Sequence, residues 1–250
     1  MTNALTDIQI ARQIAKEAGN ILLSLQADNS VDNKQKGKNG DYAANQAIIN
    51  SLKTLRPDDG ILSEEEKDNF DRLEKERVWI IDPLDGTREY SENRDDWAVH
   101  IGFCTNGIPT MGVVALPGLK KTYSSSDICE LKPLARNPKI LISRTRQPKY
   151  AAELADFLGA ELLPMGSAGA KAMAVINGDA DIYYHIGGQH EWDNCAPVAV
   201  CLAHGLHCSR LDGSPITYNQ KDTFVPDLLI CRKEYADKIL HFLRPVLAGE

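Results

Sequence analysis

Two carboxylates three residues apart follow a short apolar run in the first half of the chain. Asp82 and Asp85 stand within the segment 78–87, where Val, Trp and Ile predict a buried strand and a proline and a glycine predict a turn. Held together at one strand end, the carboxylates repel, so a proton or a cation must accompany them. Hard oxygen ligands suit Mg²⁺. The segment therefore predicts a metal-binding turn, and the following amides of Gly86 and Thr87 can bind a phosphate.

The same residue types are common in structural turns, and an isolated Asp-Pro-x-Asp-Gly segment favours that plainer interpretation. Two further acidic segments change the balance. Ser63–Glu66 comes just upstream of the turn, and Glu191–Asp193 lies far downstream, at the predicted beginning of a helix. Each has an ordinary interpretation by itself, since an acidic run is typical of a solvated helix start and Asp193 of a helix cap. Their combination favours metal binding.

The remaining elements must position these residues. Apolar periodicity predicts helices over 6–25 and 43–55, separated by a polar, glycine-containing loop at 31–41. A strand at 78–81 and a β-hairpin follow; the hairpin pairs 97–104 with 110–116 around Asn106–Gly107. In the second half, strands and helices alternate. Strands are predicted at 138–143, 160–164, 180–185 and 226–231, and helices at 148–158, 168–177, 194–204 and 233–243.

This order of elements predicts an α+β or α/β layered sandwich, in which helix layers alternate with mixed-sheet layers. We expect two subdomains. Residues 1–130 would form an N-terminal α+β subdomain that carries the metal turn, and residues 131–250 a C-terminal α/β subdomain that carries Asp193. The boundary is placed where a serine-rich and proline-containing stretch interrupts the periodic pattern.

Composition excludes several classes of function. The 250 residues are 43% hydrophobic and carry a net charge of −7, so the chain has no electrostatic attraction for nucleic acid. No stretch approaches the roughly 18 consecutive apolar residues of a membrane span. We expect a small-molecule partner, with neither nucleic acid nor membrane. The six cysteines include no Cys-x-x-Cys pair and the N-terminus has no secretory pattern, which indicates reduced thiols in a cytoplasmic protein.

Three motifs in this order resemble the inositol monophosphatase superfamily of Mg²⁺-dependent, lithium-sensitive phosphatases. They are Ser-Glu-Glu at 63–65, Asp-Pro-x-Asp-Gly-Thr at 82–87 and Trp-Asp-x-x-Ala-Pro at 192–197. Within that superfamily, the segments at 94–100, 166–173 and 210–215 look like the CysQ-type 3′(2′),5′-bisphosphate nucleotidases. The resemblance implies the sugar-phosphatase fold. It also implies removal of the 3′-phosphate of 3′-phosphoadenosine 5′-phosphate to give AMP, a reaction linked to sulfate assimilation.

The resemblance further implies a site with two or three Mg²⁺ ions. The ligands it implies are Glu64, Asp82, the backbone carbonyl of Leu84, Asp85 and Asp193. Leu84, Asp85 and Asp193 would also border the substrate, and the amides of Gly86 and Thr87 would bind the scissile phosphate. Two interpretations stay open for each remaining candidate. Gly166 and Ser167 contact the second phosphate or the ribose, or Ser167 is an ordinary cap; Glu191 binds a sugar hydroxyl, or is a surface acid.

One segment departs from the superfamily pattern. Many members carry Thr-Ala-x-Asp on the second helix, and that Asp acts with the Thr of Asp-Gly-Thr to orient and deprotonate the attacking water. When this pattern is aligned with residues 41–45, Asn45 stands at the position of the Asp. Asparagine orients a water but accepts no proton from it. Either Asp41, one helical turn away, supplies the carboxylate, or Thr87 and Asn45 only position the water. The expected catalytic residues are thus Thr87, Asp41, Asn45 and Glu64.

The expected partner is a small phosphate ester, an adenosine bisphosphate, and a homodimer is compatible with the sequence. Inositol 1-phosphate and fructose 1,6-bisphosphate are alternative substrates, because the superfamily motifs do not distinguish them. A different class of function, suggested only by Asn45, is a non-catalytic phosphonucleotide binder that releases no phosphate.

Overall fold

The computed structural model describes residues 5–28 and 30–247. The helices of this described part are α1 (Asp7–Gln26), α2 (Asn33–Leu55), α3 (Thr87–Ser91), α4 (Ala151–Leu158), α5 (Ala168–Asn177), α6 (Glu191–Ala203) and α7 (Lys233–Leu247). Its strands are β1 (Gly60–Ser63), β2 (Arg77–Asp85), β3 (Ala98–Thr105), β4 (Ile108–Leu116), β5 (Lys121–Ser124), β6 (Lys139–Ser143), β7 (Glu161–Met165), β8 (Ile182–His190), β9 (His207–Ser209) and β10 (Phe224–Cys231). Among these residues, no helix combines the length and apolarity needed to cross a membrane.

The strands form two five-stranded mixed sheets. Sheet 1 has the order β1-β2-β3-β4-β5, in which β1 runs parallel to β2 and the other neighbours are antiparallel. Sheet 2 has the order β7-β6-β8-β10-β9, in which β6 is parallel to both β7 and β8 and β10 is antiparallel to both its neighbours. Because β1 and β2 run parallel, their C-terminal ends lie beside each other. The acidic motifs that begin at Ser63 and Asp82 lie at these ends.

Helices cover the faces of both sheets. Helices α1 and α2 pack on one face of sheet 1, α5 and α6 fill the space between the sheets, and α4 and α7 cover the outer face of sheet 2. Residues 78–81 of β2 are all apolar because Trp79 and Ile81 face α1 and α2, while Val78 and Ile80 face α5 and α6. The predicted layered sandwich is confirmed. The division into two subdomains stays a prediction, since α5 and α6 pack against both sheets.

Local signals are reliable at the first helix and the hairpin. Thr6 and Gln9 form the expected capping box at the beginning of α1. The hairpin of β3 and β4 turns at Asn106 and Gly107, which both have positive φ values, 51° and 76°. A two-residue hairpin turn of this kind requires positive φ at both positions, which is why Asn-Gly predicts it well.

The predicted loop at 31–41 is wrong, because α2 begins at Asn33 and passes through both glycines. The glycines serve close packing instead of breaking the helix. A Cβ atom at Gly37 would lie 2.9 Å from Thr87 Cγ2, and one at Gly40 would lie 3.0 Å from Leu22 Cδ2. Only glycine therefore lets the first half of α2 approach α1 and α3 so closely.

Smaller differences concern element boundaries. Helix α6 begins at Glu191 with His190 as its N-cap, so Asp193 is the third helical residue and not the predicted cap. Asp193 Oδ2 accepts a hydrogen bond of 2.6 Å from the backbone N–H of His190. Strand β8 continues to His190 instead of ending near residue 185, and the short strands β1, β5 and β9 were not predicted. Such short strands carry too few residues for an alternating pattern to appear.

Candidate metal centre

A β-bulge in β2 directs Asp82 and Asp85 to the same side of the sheet. In a regular strand, residues three apart point to opposite faces. Here Asp82 pairs with His100 and Asp85 with Ala98, so β2 has one residue more than β3 across this stretch. The extra residue turns both carboxylates toward α5 and α6. The two aspartates thus belong to a bulged strand, and the predicted turn begins only at Gly86, whose φ of +88° suits glycine.

Asp193 completes a cluster of three carboxylates from distant parts of the sequence. Asp82, Asp85 and Asp193 each offer a carboxylate oxygen, and these oxygens lie within 4.8 Å of one another. The beginning of α6 carries Asp193 to the bulge because that helix packs against β2, β3 and β4. Asp82 is 1% exposed and Asp85 is 7% exposed. Asp193 is partly buried, so the cluster of two buried acids and one partly buried acid is not a solvated surface patch.

Mutual repulsion and burial perturb the acidity of this cluster. Burial and the charges of Glu64 and Asp85 raise the pKa of Asp82 well above its ordinary value. Burial and the charge of Asp85 raise the pKa of Asp193 to about 7. The ionised forms of Asp82 and Asp193 are therefore destabilised by burial and by the neighbouring carboxylates.

Asp85 differs from its neighbours, because several donors converge on it. The Ser167 hydroxyl donates to Asp85 Oδ2, as does the backbone N–H of Gly169 at 2.7 Å. His100 Nε2 lies 3.2 Å from the same oxygen. Burial alone would raise the pKa of Asp85, but the positive charges of His100 and Lys171 and these donors hold it below its ordinary value. Asp85 is the member of the cluster that the protein keeps ionised.

Glu64 reaches the cluster from the turn after β1. The backbone N–H of Glu64 donates to the carbonyl of Ile81 at 3.2 Å, which continues the parallel pairing of β1 and β2 beyond Ser63. Its carboxyl group is close enough to Asp82 and Asp85 to interact with them electrostatically. Glu64 is exposed as a residue, but the atoms packed around its carboxyl group, with the charges of Glu65 and Asp85, raise its pKa to about 7. The structure thus brings Asp82, Asp85 and Asp193 together, and Glu64 lies beside this cluster; metal binding by Glu64 stays a prediction.

Asp41, and not Asn45, contacts Thr87. Thr87 Oγ1 lies 3.2 Å from Asp41 Oδ2 and 3.1 Å from the carbonyl oxygen of Leu84. Asp41 Oδ1 is buried and has no hydrogen-bond partner among the described residues. Burial and the charges of two glutamates in the turn after β1 raise the pKa of Asp41 to about 8. Of the two open hypotheses, the geometry favours the one in which Asp41 supplies the carboxylate.

Asn45 instead joins α2 to the acidic turn after β1. Its Oδ1 accepts a hydrogen bond of 2.8 Å from the Ser63 hydroxyl, and its Nδ2 donates to Glu66 Oε1 at 2.7 Å. Asn45 is 2% exposed. Both polar atoms of the amide are therefore occupied in bonds to residues that flank Glu64, and a catalytic role for Asn45 stays a prediction.

The predicted substrate contacts of α5 and α6 make bonds within the protein. Besides its bond to Asp85, the Ser167 hydroxyl accepts one from the backbone N–H of Ala170 at 3.0 Å, which is an N-cap bond. The backbone N–H of Gly166 donates to Asp96 Oδ2 at 3.0 Å. Ser167 is thus a cap that also supports the metal centre. Contacts of Gly166 and Ser167 with substrate stay predictions.

Glu191 is 1% exposed, which excludes the alternative of a surface acid. Its two carboxylate oxygens accept hydrogen bonds of 2.7 Å from the backbone N–H groups of Asn219 and Gln220. Burial nevertheless raises its pKa to about 7. These bonds attach α6 to a distant loop, and a contact with a sugar hydroxyl stays a prediction.

Sequence reasoning missed His100 and Lys171, which surround Asp85. His100 is fully buried on β3, and Lys171 is 5% exposed on α5, where its Nζ donates to the carbonyl of Ser167 at 2.5 Å. Burial lowers the pKa of Lys171 to about 8, against the opposing effect of nearby acids. Both residues lie in segments that resemble the nucleotidases, but a single buried cation has no periodic or spacing signal of its own.

The residues present fit a divalent metal ion. The donor set consists of carboxylate oxygens and a backbone carbonyl, the hard ligands that Mg²⁺ and similar ions prefer. A cation among Glu64, Asp82 and Asp193 would relieve the repulsion that raises their pKa values. The carboxyl group of Asp41, which contacts Thr87 through Oδ2, also has a buried Oδ1 atom without a hydrogen-bond partner among the described residues.

Comparison with known proteins agrees with this class of site. Residues 4–246 match the inositol monophosphatase family, and the chain belongs to that family, whose enzymes are metal-dependent. The 3′-phosphoadenosine 5′-phosphate phosphatase of Mycobacterium leprae is 44% identical over 257 residues, which cover 97% of this chain and 95% of that protein. The 3′(2′),5′-bisphosphate nucleotidase CysQ of Escherichia coli K12 is 29% identical over 85% of this chain and 94% of its own length. The crystal structure of CysQ from Bacteroides thetaiotaomicron superposes with a TM-score of 0.79 at 26% identity, over 91% of this chain and 97% of that one.

Proposed function

We propose that this protein is a Mg²⁺-dependent phosphatase that hydrolyses the 3′-phosphate of 3′-phosphoadenosine 5′-phosphate, giving AMP and inorganic phosphate. The observation that carries the proposal is the cluster of buried Asp82 and Asp85 with partly buried Asp193, whose carboxylate oxygens lie within 4.8 Å of one another. The mycobacterial relative, matched over nearly its whole length, supports the choice of substrate. The link to sulfate assimilation is part of this proposal.

In the proposed site, Glu64, Asp82, Asp85, Asp193 and the carbonyl of Leu84 bind two or three Mg²⁺ ions. When bound, the ions supply Lewis-acid chemistry: they make a water more acidic and stabilise the negative charge of the leaving oxygen. The protein contributes their positions. The bulge in β2 orients two ligands, and the beginning of α6 supplies the third from the other half of the chain.

Asp41 and Thr87 orient and deprotonate the attacking water. Thr87 Oγ1 donates its hydrogen to Asp41 Oδ2, so its lone pairs stay available to accept a hydrogen bond from that water. As the water oxygen attacks phosphorus in line with the 3′-oxygen, its proton passes by way of Thr87 to Asp41. The bond from phosphorus to the 3′-oxygen breaks, and that oxygen takes a proton from solvent water. Burial, the largest cause of the raised pKa of Asp41 in the metal-free protein, favours acceptance of this proton. The amides of Gly86 and Thr87, where α3 begins, are the proposed contacts of the scissile phosphate.

Phosphate release from three substrates tests the proposal. The purified protein is incubated with 3′-phosphoadenosine 5′-phosphate, inositol 1-phosphate and fructose 1,6-bisphosphate, each with Mg²⁺ and with EDTA. We expect Mg²⁺-dependent release that is fastest on the nucleotide. Fastest release from a sugar phosphate would keep the class of enzyme and reject the substrate. No release from any substrate, with retained nucleotide binding, would favour the non-catalytic binder.

The proposal includes a cytoplasmic location and a homodimer. Cell fractionation tests the first, and the mass of the purified protein in solution tests the second. Neither result changes the interpretation of the metal centre, because every ligand proposed above belongs to a single chain.

A further inference from the structure

His100 links Asp85 to the beginning of α6. On one side of its ring, Nε2 lies 3.2 Å from Asp85 Oδ2, at ion-pair distance but without hydrogen-bond alignment. On the other side, Nδ1 lies 3.1 Å from the backbone carbonyl oxygen of Trp192, the residue before Asp193. A carbonyl oxygen only accepts hydrogen bonds, so Nδ1 carries a hydrogen and donates it. One fully buried ring therefore bridges two metal-ligand segments that are far apart in the sequence.

Gly169 provides the space that this ring occupies. A Cβ atom at position 169 would lie 2.2 Å from His100 Nε2 and 3.1 Å from the Cβ of Ala98. Gly169 is the second residue of α5, where any larger side chain would meet the ring. Contact with the imidazole gives a physical reason for glycine at this position. The backbone N–H of the same residue donates to Asp85 Oδ2 at 2.7 Å.

Together, these groups converge on a single oxygen of Asp85. Oδ2 accepts from the Ser167 hydroxyl and from the Gly169 amide, and it faces the His100 ring. A carboxylate oxygen has two lone pairs, so Oδ2 is fully occupied by protein donors. The other oxygen, Oδ1, is then the one that Asp85 offers to a metal ion.

We propose that His100 and Gly169 form a positioning pair for the metal centre: they orient Asp85 so that Oδ1 faces the cluster, and they hold the beginning of α6 so that Asp193 stays within reach of the same ion. This inference rests on the proposed metal-dependent function. Neither residue contacts substrate in this scheme. Outer contacts of this kind hold a ligand in one orientation and so reduce the conformational entropy lost when the metal binds.

Mg²⁺ affinity, measured by calorimetry on the metal-free protein, tests the pair without reference to turnover. His100→Ala removes both contacts, and we expect its dissociation constant for Mg²⁺ to rise about tenfold. His100→Gln keeps an amide donor that reaches toward Asp85, and we expect it to recover most of the affinity. Melting temperatures in EDTA verify that the variants are folded.

His204→Ala is the matched control. His204 is also a buried histidine with both ring nitrogens near carbonyl oxygens, 2.8 Å from that of Val200 and 3.1 Å from that of Asp127. It follows the last residue of α6, at the opposite end of that helix from Asp193. We expect His204→Ala to lose stability and to keep the wild-type dissociation constant for Mg²⁺.

A double-mutant cycle tests whether the His100 ring occupies the space that the missing side chain of Gly169 leaves. Gly169→Ala alone places a methyl group against the imidazole, and we expect it to weaken Mg²⁺ binding about tenfold. In the His100→Ala background the methyl group meets no ring, so the same change should have little further effect. Additive effects of the two changes on the logarithm of the dissociation constant would contradict the pairing.

The outcomes separate this inference from the proposed function. Wild-type protein that binds Mg²⁺ and releases phosphate, together with an unchanged Mg²⁺ dissociation constant in His100→Ala, would overturn the positioning pair alone. Wild-type protein that neither binds Mg²⁺ nor releases phosphate would overturn both.

Discussion

Two buried aspartates at opposite ends of the β1–β2 pair have opposite surroundings. Asp59, just before β1, has a side chain 7% exposed, and it accepts hydrogen bonds of 2.8 and 3.0 Å from Arg77 and 2.9 Å from Trp79 Nε1. Asp82, near the end of β2, is 1% exposed and faces Glu64 and Asp85. One carboxylate is matched by donors, and the other is opposed by further carboxylates.

The difference shows that burial alone does not identify a functional acid. A structural carboxylate is buried together with its counter-charge, because an unmatched charge is strongly destabilising. A carboxylate buried among others is stable only with an added proton or cation. The second arrangement therefore indicates a binding site, and each prediction below tests one consequence of it.

The largest expected effect comes from the same substitution at both aspartates. Asp82→Asn should abolish phosphate release, because an amide is a poor ligand for Mg²⁺. It should also raise the melting temperature of the metal-free protein, since it removes a repelled charge while its oxygen still accepts from the Leu84 N–H. Phosphate assays and thermal unfolding in EDTA measure the two effects.

Asp59→Asn is the control for that prediction. It weakens the bonds to Arg77 and Trp79 and should lower the unfolding free energy by about 1–2 kcal/mol while leaving Mg²⁺-dependent turnover intact. A lower melting temperature in Asp82→Asn, or normal activity in it, would remove the distinction between the two aspartates.

A smaller effect is expected at Asp41, an acid with one bonded and one unbonded oxygen. Asp41→Asn should lower kcat about a hundredfold, because it removes the group that accepts the proton of the attacking water. Asn45→Ala should lower kcat less and mainly reduce stability, through loss of its bonds to Ser63 and Glu66. Steady-state kinetics at saturating Mg²⁺ compares them. The reverse order would assign the water-orienting role to Asn45.

The smallest effect is a pH dependence of stability in the metal-free protein. Asp41, Asp82 and Asp193 have pKa values raised by folding, so the folded state binds more protons than the unfolded state above the ordinary carboxyl pKa. Stability must then fall as pH rises, by at least about 1 kcal/mol between about pH 5 and pH 8. Chemical unfolding in EDTA measures the fall, and saturating Mg²⁺ should reduce it. Stability in EDTA that increases over this range would contradict mutual repulsion as the state of the cluster.

The sequence by itself determined the layered architecture, most helices and strands of the second half, and the acidic segments that supply the cluster. These follow from local information. Apolar periodicity reports which face of an element is buried, and Asn106–Gly107 specifies its own turn. The acidic motifs are recognisable because metal binding requires particular residue types at fixed spacing.

Only the tertiary structure decided which partner each side chain has. Gly37 and Gly40 predict a loop locally, yet both lie within α2. They are glycines because α1 and α3 leave no room for a Cβ atom there. The bond of the Ser167 hydroxyl to Ala170 is a local N-cap bond, but its bond to Asp85 depends on how α5 packs against β3. Asp41 contacts Thr87 because α2 begins ten residues earlier than its apolar pattern. Contacts of this kind join residues far apart in the chain, and no local spacing encodes them.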